Sequence, residues 1–428
     1  MWIRFFRRLL STMPELRDGK LSTAEFDAIL TPELRRLADV LCKRGGHQIR
    51  LVGGAVRDLL LGRTPKDIDL ATDATPNEMI TLFQAQGIRY IETGLQHGTL
   101  TVHMNGGRDY EITTLRVDRV TDGRHAQVDF TRDWRVDAER RDLTINAMAL
   151  GMDGTLYDYF DGRGDLERRR VAFVGDARAR ISEDYLRILR YFRFYGRIAE
   201  SDDRHDPDTL AAIEESRDGL RKIAAERIWV EMAQILCGNF APSLLALMYR
   251  LGVADCIGMP PKGNLEEFGI IWKRMRAFRS KPMSLLVSLV VNLDDVYQLV
   301  HHWKLSNLER RLGTFIVSHR EPNPDGDLLK PYQDLLMRSQ PERRIETREN
   351  VVELLRYLGR PEMAKEMETW REPGFPVNGG DLKSLGIKPG PIYKTILEEL
   401  REHWIELDFK PSKEEILQVC RDRFSVSL

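Results

Sequence analysis

Asp67 and Asp69 flank Ile68 in the stretch LVGGAVRDLLLGRTPKDIDLAT, residues 51–72. Two carboxylates held side by side repel each other unless a cation lies between them, and a hard divalent ion with oxygen ligands suits that place. The pair is therefore a candidate Mg²⁺ site. Upstream, Gly53-Gly54 lets a backbone approach a phosphate group closely, and a helix opening there would present unpaired N–H groups to it. These residues together fit a site for a nucleoside triphosphate with metal ions. Taken alone, the DxD also fits a solvent-exposed turn with two ordinary acids; the double glycine ahead of it shifts the balance towards function. Neither a Walker loop nor a GxGxxG fingerprint is present in this stretch, so P-loop and Rossmann readings are unsupported.

The elements that must hold these residues can be read from pattern. The apolar run into Gly53 reads as the end of a buried strand, VRDLLLG as a short helix stopped at Gly62, and Asp67-Ile68-Asp69-Leu70-Ala71 as a strand with both carboxylates on one face and Ile68 turned inward. Residues 31–50 predict an amphipathic helix with a break at Gly45-Gly46. Thr75 predicts an N-cap for a helix that stops at Gly87. HGTLTVHM and DYEITTLRV predict two strands joined by a turn at Asn105-Gly106-Gly107. The polar DRVTDGRHAQVDFTRD reads as a mobile loop. In ERRDLTINAMAL (139–150), Arg140 and Arg141 can supply charge to phosphate or ribose, while Asp142 and Asn146 can hold backbone and sugar hydroxyls. TLYDYFDGRGDL predicts a strand and a tight turn at Asp161-Gly162.

In the order they occur, GGAVRDLLLGRTPKDIDLAT, RRDLTINA and EDYLR resemble the motifs of class II tRNA nucleotidyltransferases, the CCA-adding enzymes of the polymerase-β superfamily in their eukaryotic, mitochondrial type. The resemblance covers residues 30 to about 235. It implies that Gly54 and Arg57 contact the incoming triphosphate, that Asp67 and Asp69 hold Mg²⁺, and that Arg141, Arg190 and Arg193 bind nucleotide. Such palms place a third acid on a strand beside the DxD strand, a place matched by Glu111; the alternative is a surface strand glutamate. The polar stretch before RRD resembles the family's flexible loop. KIAAERIWVEM resembles a neck motif, read here as a network around Glu226 and Arg227 that supports a helix.

Residues 182–197, SEDYLRILRYFRFYGR, read as one helix capped by Ser182, with Asp184 and Arg187 neighbours on one face. Cytosine and adenine each present an amino donor beside a ring-nitrogen acceptor; uracil and guanine present the reverse. A carboxylate next to a guanidinium therefore satisfies C or A and leaves buried groups unpaired against U or G. The family's EDxxR motif implies that role for Asp184 and Arg187, and an amphipathic helix with a solvated basic face is the bland alternative.

The 428 residues, 42% hydrophobic and 31% charged, suit several small domains in a non-disordered chain. The expected fold class is α+β: a small N-terminal mixed β-sheet with helices, followed by an all-α neck, body and tail. The expected segments are a possible mitochondrial transit peptide (1–29), catalytic head (30–160), neck (161–260), helical body (261–355) and tail (356–428). A net charge of −1 leaves nucleic-acid binding to local patches. One candidate is the stretch from Arg163 to Arg197, with ten arginines against five acids, which suits a phosphate-rich partner such as tRNA. Four scattered cysteines suggest reduced, buried thiols and no zinc site. His205-Asp206 reads as a turn before a helix. The stretches EPNPDGD and QPERRIETREN read as loops or boundaries.

The turn Gly386-Ile387-Lys388-Pro389-Gly390-Pro391, leading into a helix, reads either as a phosphate-binding turn or as a helix–turn–helix with glycine caps. The resemblance makes it part of a tail that grips the tRNA elbow. The start MWIRFFRRLLSTMP is arginine-rich and free of acids, which fits a mitochondrial transit peptide or a basic tail equally, and a start at Met13 would supply cytoplasm or nucleus. No apolar run approaches the length of a membrane span.

The implied reaction is template-independent addition of CCA to tRNA 3′ ends from CTP and ATP, with two Mg²⁺ ions. The alternatives are a poly(A) polymerase, a CC-only or A-only adding enzyme, or a non-catalytic tRNA-binding protein. Monomer and homodimer are both compatible with the sequence.

Overall fold

The computed structural model describes residues 13–104, 108–122, 125–321 and 328–424. The Asn105-Gly106-Gly107 turn, most of EPNPDGD and the first twelve residues of the proposed transit segment lie outside them. The chain divides into two compact units, one of residues 1–262 with 302–304 and one of residues 263–301 with 305–428.

In the first unit a small hairpin, β1 (Leu16–Arg17) and β2 (Lys20–Leu21), precedes helices α1 (Ala24–Ile29) and α2 (Pro32–Asp39). The central sheet is built from β3 (Ile49–Val52), β4 (Asp69–Thr72), β5 (Arg89–Gly94), β6 (Thr99–Met104), β7 (Arg108–Thr114), β10 (Ala149–Gly151) and β11 (Leu156–Tyr157). Its order is β11-β10-β3-β4-β7-β6-β5. Every pair is antiparallel except β4 and β7, which makes the sheet mixed, as expected. A parallel neighbour needs a crossover, and helix α4 (Pro76–Ala85) lies on the connection from β4 to β7. Thr75 caps α4 in a full capping box with Glu78, as its position predicts. Strand β5 was not anticipated: RYIETG is mostly exposed and lacks an apolar alternation to betray it.

Two expectations need correction in this unit. The polar stretch after β7 is not an irregular loop: β8 (Arg116–Asp122) pairs antiparallel with β9 (His125–Phe130). Composition suggested a loop, but Arg116 faces Phe130 and Val117 faces Asp129, and ladder hydrogen bonds join backbone groups whatever side chains they carry. Nor do residues 182–197 form one helix. They contain the end of α7 (Ala177–Glu183) and all but the last residue of α8 (Arg187–Ile198), with α5 (Trp134–Glu139) and α6 (Gly162–Glu167) preceding them. Asp184 is extended (φ −151°, ψ 105°), and its Oδ1 accepts from the Leu186 N–H, so the aspartate terminates one helix and leads into the next. Ser182 sits in the last turn of α7, bonding back to the Ala179 carbonyl. Helices α9 (Pro207–Ser216), α10 (Ala225–Leu236), α11 (Ala241–Arg250) and α12 (Val253–Cys256) complete the unit, with Asp206 capping α9.

The link between sheet and helices is tight around residues 142–174. Leu143 bridges to Phe173, the Val174 N–H donates to the Asp142 carbonyl at 3.0 Å, and the buried Thr144 hydroxyl donates to Asp165 at 2.6 Å.

The second unit is helical among its described residues. One core there gathers Met337, Leu382, Ile396, Leu400, Trp404 and Ile416. QPERRIETREN is largely helix, Arg344–Tyr357, because its charges find partners elsewhere: Glu346 takes Arg311, while Arg344 and Arg348 share Glu372. The turn after Gly386 leads into the helix Ile392–Glu406. All four cysteines are free thiols, but only Cys256 and Cys420 are buried; Cys42 and Cys237 are exposed.

Candidate active site

Strand β3 is buried along its whole length and leads into Gly53, whose φ of +66° and ψ of −127° belong to glycine. That turn starts α3 (Gly54–Leu60). A Cβ on Gly53 would lie 3.3 Å from Arg141 Nη1, and one on Gly54 would lie 3.4 Å from Arg57 Nη2. Two guanidinium groups therefore approach the bare backbone at the opening of the helix, an arrangement able to hold phosphate.

Asp67 precedes β4 and Asp69 begins it; both are exposed while Ile68 is buried, so the two carboxylates share the outer face as the alternation predicts. In the parallel pairing of β4 with β7, Asp69 stands directly opposite Glu111, which is also exposed. Lost hydration pushes the Asp69 carboxyl above its usual value; Arg141 pulls it down and Asp67 pushes it up. Among the described residues no group of three or more His, Cys, Asp or Glu side chains is drawn together as a metal cage. Two unpaired carboxylates with a third acid beside them fit a hard cation that takes its remaining ligands from water and phosphate oxygens.

Arg57 is buried, donating from Nη1 to Asn146 Oδ1 at 2.6 Å and from Nε and Nη2 to Asp58 Oδ1, with its guanidinium 5.0 Å from the Phe194 ring centre. Burial lowers its pKa to about 10, against the opposing pull of Asp58. Arg141 donates to Asp137 at 3.2 Å and to the Asn146 carbonyl at 3.4 Å. Asp137 also takes Arg140 and the Arg116 N–H. Burial pushes the Asp137 carboxyl up, but Arg141 and Arg140 outweigh it and leave it below its usual value. Sequence reasoning missed Asp137, although one acid three and four residues ahead of two arginines at the end of a helix is a readable signal.

The residues of α7 and α8 are held from several sides. Asp184 accepts from Arg227 at 2.8 Å. Arg187 is not paired with Asp184: Nη1 donates to the Arg180 carbonyl and to Glu183, and Nη2 to the Arg140 carbonyl. Arg190 donates to Asp142 at 2.6 Å, and Arg193 lies 2.9 Å from Glu231. Arg197 reaches Asp58 at 2.8 Å, so one carboxylate links it to Arg57. The excess of arginines counted along the sequence is thus largely matched by acids outside that stretch, among them Asp58, Asp142, Glu215 and Glu231. Glu231 carries no local signal, and neither does the pairing of Asp58 with Arg197, since these partners are distant in the chain. His205 stacks on Tyr195 at 3.8 Å and bonds Tyr191, which makes it a packing residue.

Residues 49–172 match the family described as the Poly A polymerase head domain, and residues 205–257 match that described as the Probable RNA and SrmB- binding site of polymerase A. The chain is 48% identical over 423 residues to CCA tRNA nucleotidyltransferase 1, mitochondrial, of Homo sapiens, covering 98% of this chain and 96% of that protein. It is 46% identical over 430 residues to the protein of the same name from Danio rerio, covering 97% and 99%. A crystal structure of the Bacillus stearothermophilus CCA-adding enzyme in complex with CTP superposes with a TM-score of 0.71 at 27% identity, over 94% of this chain and 99% of that one.

Proposed function

Since the chain belongs to the CCA tRNA nucleotidyltransferases, we propose that it adds C, C and A to the 3′ end of tRNA from CTP and ATP, choosing both nucleotides without a nucleic-acid template. The observation that carries this reading is the position of Arg141. Its guanidinium lies beside the Gly53 turn and also acts on the Asp69 carboxyl, so the phosphate-binding turn and the acidic face meet at one residue.

Asp67 and Asp69 would hold Mg²⁺, with Glu111 beside Asp69. A bound divalent ion supplies Lewis acidity that favours the attacking hydroxyl and the leaving phosphates. Arg57, fixed by Asn146 and Asp58, and Arg141, fixed by Asp137, meet the triphosphate without reorganising. Asp184 and Arg187 read the base. Three of the five N–H groups of Arg187 are engaged, leaving two for a ring nitrogen, and the Asp184 oxygens keep acceptor capacity beyond Leu186 and Arg227. Arg190 and Arg193 complete the nucleotide side.

The tRNA acceptor end meets the head (30–160) and neck (161–260); the chain continues as a helical body (261–355) and a tail (356–428) that grips the tRNA elbow. The arginine-rich start and the mitochondrial relatives support import into mitochondria, with Met13 as a second start for cytoplasm or nucleus. Fusion of residues 1–30 to a reporter tests this; a diffuse cytosolic signal counts against it. The activity is tested by offering Mg²⁺ and a tRNA transcript lacking CCA each nucleotide alone, then CTP with ATP. Growth by three residues that needs both supports the reading. A long A tail moves the chain to poly(A) polymerase, and no growth to a non-catalytic RNA binder.

A further inference from the structure

The first unit contains a cavity of about 410 Å³ whose wall includes Arg63, Arg193, Phe194, Arg197, Gln234 and Asn239, of which Arg193 alone has been placed on the nucleotide side. Neither Asp67, Asp69, Arg141, Asp184 nor Arg187 lines it. Arg63 lies three residues past the end of α3, whose opposite end is the Gly53 turn. Arg197 is ten residues along α8 from Arg187, roughly 15 Å at 1.5 Å per residue. The cavity therefore lies at the ends of α3 and α8 that point away from the reacting groups.

Its charge is not balanced. Of the three arginines on its wall, Arg193 lies 2.9 Å from Glu231, which Arg190 also approaches at 3.9 Å, and Arg197 pairs with Asp58, which also serves Arg57. One arginine of the wall is left without a carboxylate. Among the described residues the Arg63 guanidinium makes no ion pair and no hydrogen bond, and it stands half-buried at the wall. Confined positive charge of this kind is stabilised by an anion, and guanidinium forks with amide donors such as Gln234 and Asn239 suit the oxygens of a phosphate.

We propose that this cavity is a second phosphate subsite, which holds a backbone phosphodiester of the RNA being extended. The site rests on the reading that the chain acts on tRNA. A phosphate of the incoming nucleotide is the other source of the same chemistry, but the N–H groups that favour a triphosphate are at the start of α3, a helix length away, whereas the RNA strand continues beyond the reacting end and carries a phosphate at each residue.

The test uses the full chain with Arg63→Ala and, separately, Gln234→Glu, which places a negative charge on the same wall. Binding of a tRNA transcript lacking CCA is measured without nucleotide across a salt series, and KM is then measured for tRNA and for CTP. The expected result is tRNA affinity weakened about tenfold, the order of one charged hydrogen bond, with the salt slope reduced by about 1 for Arg63→Ala. The KM for CTP and kcat should hold. A raised KM for CTP with unchanged tRNA affinity assigns the cavity to the nucleotide and overturns the proposal, as does wild-type behaviour in both variants. If the wild type binds tRNA but does not extend it, the proposed activity fails while the binding comparison still decides the subsite.

Discussion

Asp67, Asp69 and Glu111 stand exposed on the sheet with no ion-pair partner among the described residues, whereas Arg187, Arg190, Arg193 and Arg197 of the neck are each held by a carboxylate. The acidic face is open to solvent, with Arg141 the cation that acts on Asp69, and on the proposed reading a bound Mg²⁺ would relieve the repulsion that remains. The basic helix has its orientation fixed beforehand by Glu183, Asp142, Glu231 and Asp58. Loss of an acid from the sheet should therefore remove chemistry and spare the fold, while loss of a partner in the neck should loosen the fold first.

The largest expected effect is that of Asp67→Ala: turnover falls by about 10³-fold or more, roughly 4 kcal/mol of transition-state stabilisation, with the thermal midpoint unchanged. A comparable loss of midpoint would break the contrast. Arg190→Ala tests the other half. Asp142 is almost fully buried, so removing its guanidinium partner should cost about 3 kcal/mol of stability, the lower end for a broken buried pair, measured by urea unfolding. Asp184→Ala should lower the preference for CTP and ATP over UTP and GTP by about 10²-fold, read from kcat/KM for each nucleotide, with a smaller change in stability because that side chain is partly exposed.

The smallest effect is a pH dependence. Burial pushes the Asp142 carboxyl up, but Arg190 outweighs it and holds the group below its usual value. A depressed carboxylate adds stability that is present above the ordinary aspartate range, near pH 4, and is lost as pH falls through the lower folded value. Asp142→Asn should therefore be less stable at pH 7 and show a shallower loss as pH falls below about 4. An unchanged acid limb would mean that the pair does not act through charge.

The strand–glycine–helix–DxD order was legible because each step has a local signature: a buried apolar run, a positive-φ glycine, and alternation around Ile68. The capping box at Thr75 was legible for the same reason. The neck was less so. The break at Asp184 lies inside a sequence whose apolar spacing runs on, and it is set by one side-chain bond to the backbone and by Arg227, 43 residues away. The pairing of β8 with β9 was hidden by polar composition, and the balancing acids of the arginine stretch were hidden by distance in the chain.

The join at residues 142–174 has a consequence for how such proteins exchange parts in evolution. A crossover between two relatives placed after residue 160 would put Asp142, Leu143 and Thr144 from one parent against Asp165, Phe173, Val174 and Arg190 from the other. The backbone bridge of Leu143 with Phe173 and the Val174 bond to the Asp142 carbonyl ask for no particular side chain, but Thr144 with Asp165 and Asp142 with Arg190 would have to match by inheritance from both. Chimeras should accordingly be viable only when the pieces on either side of residue 160 already agree at these positions, so that head and neck travel together as one heritable block.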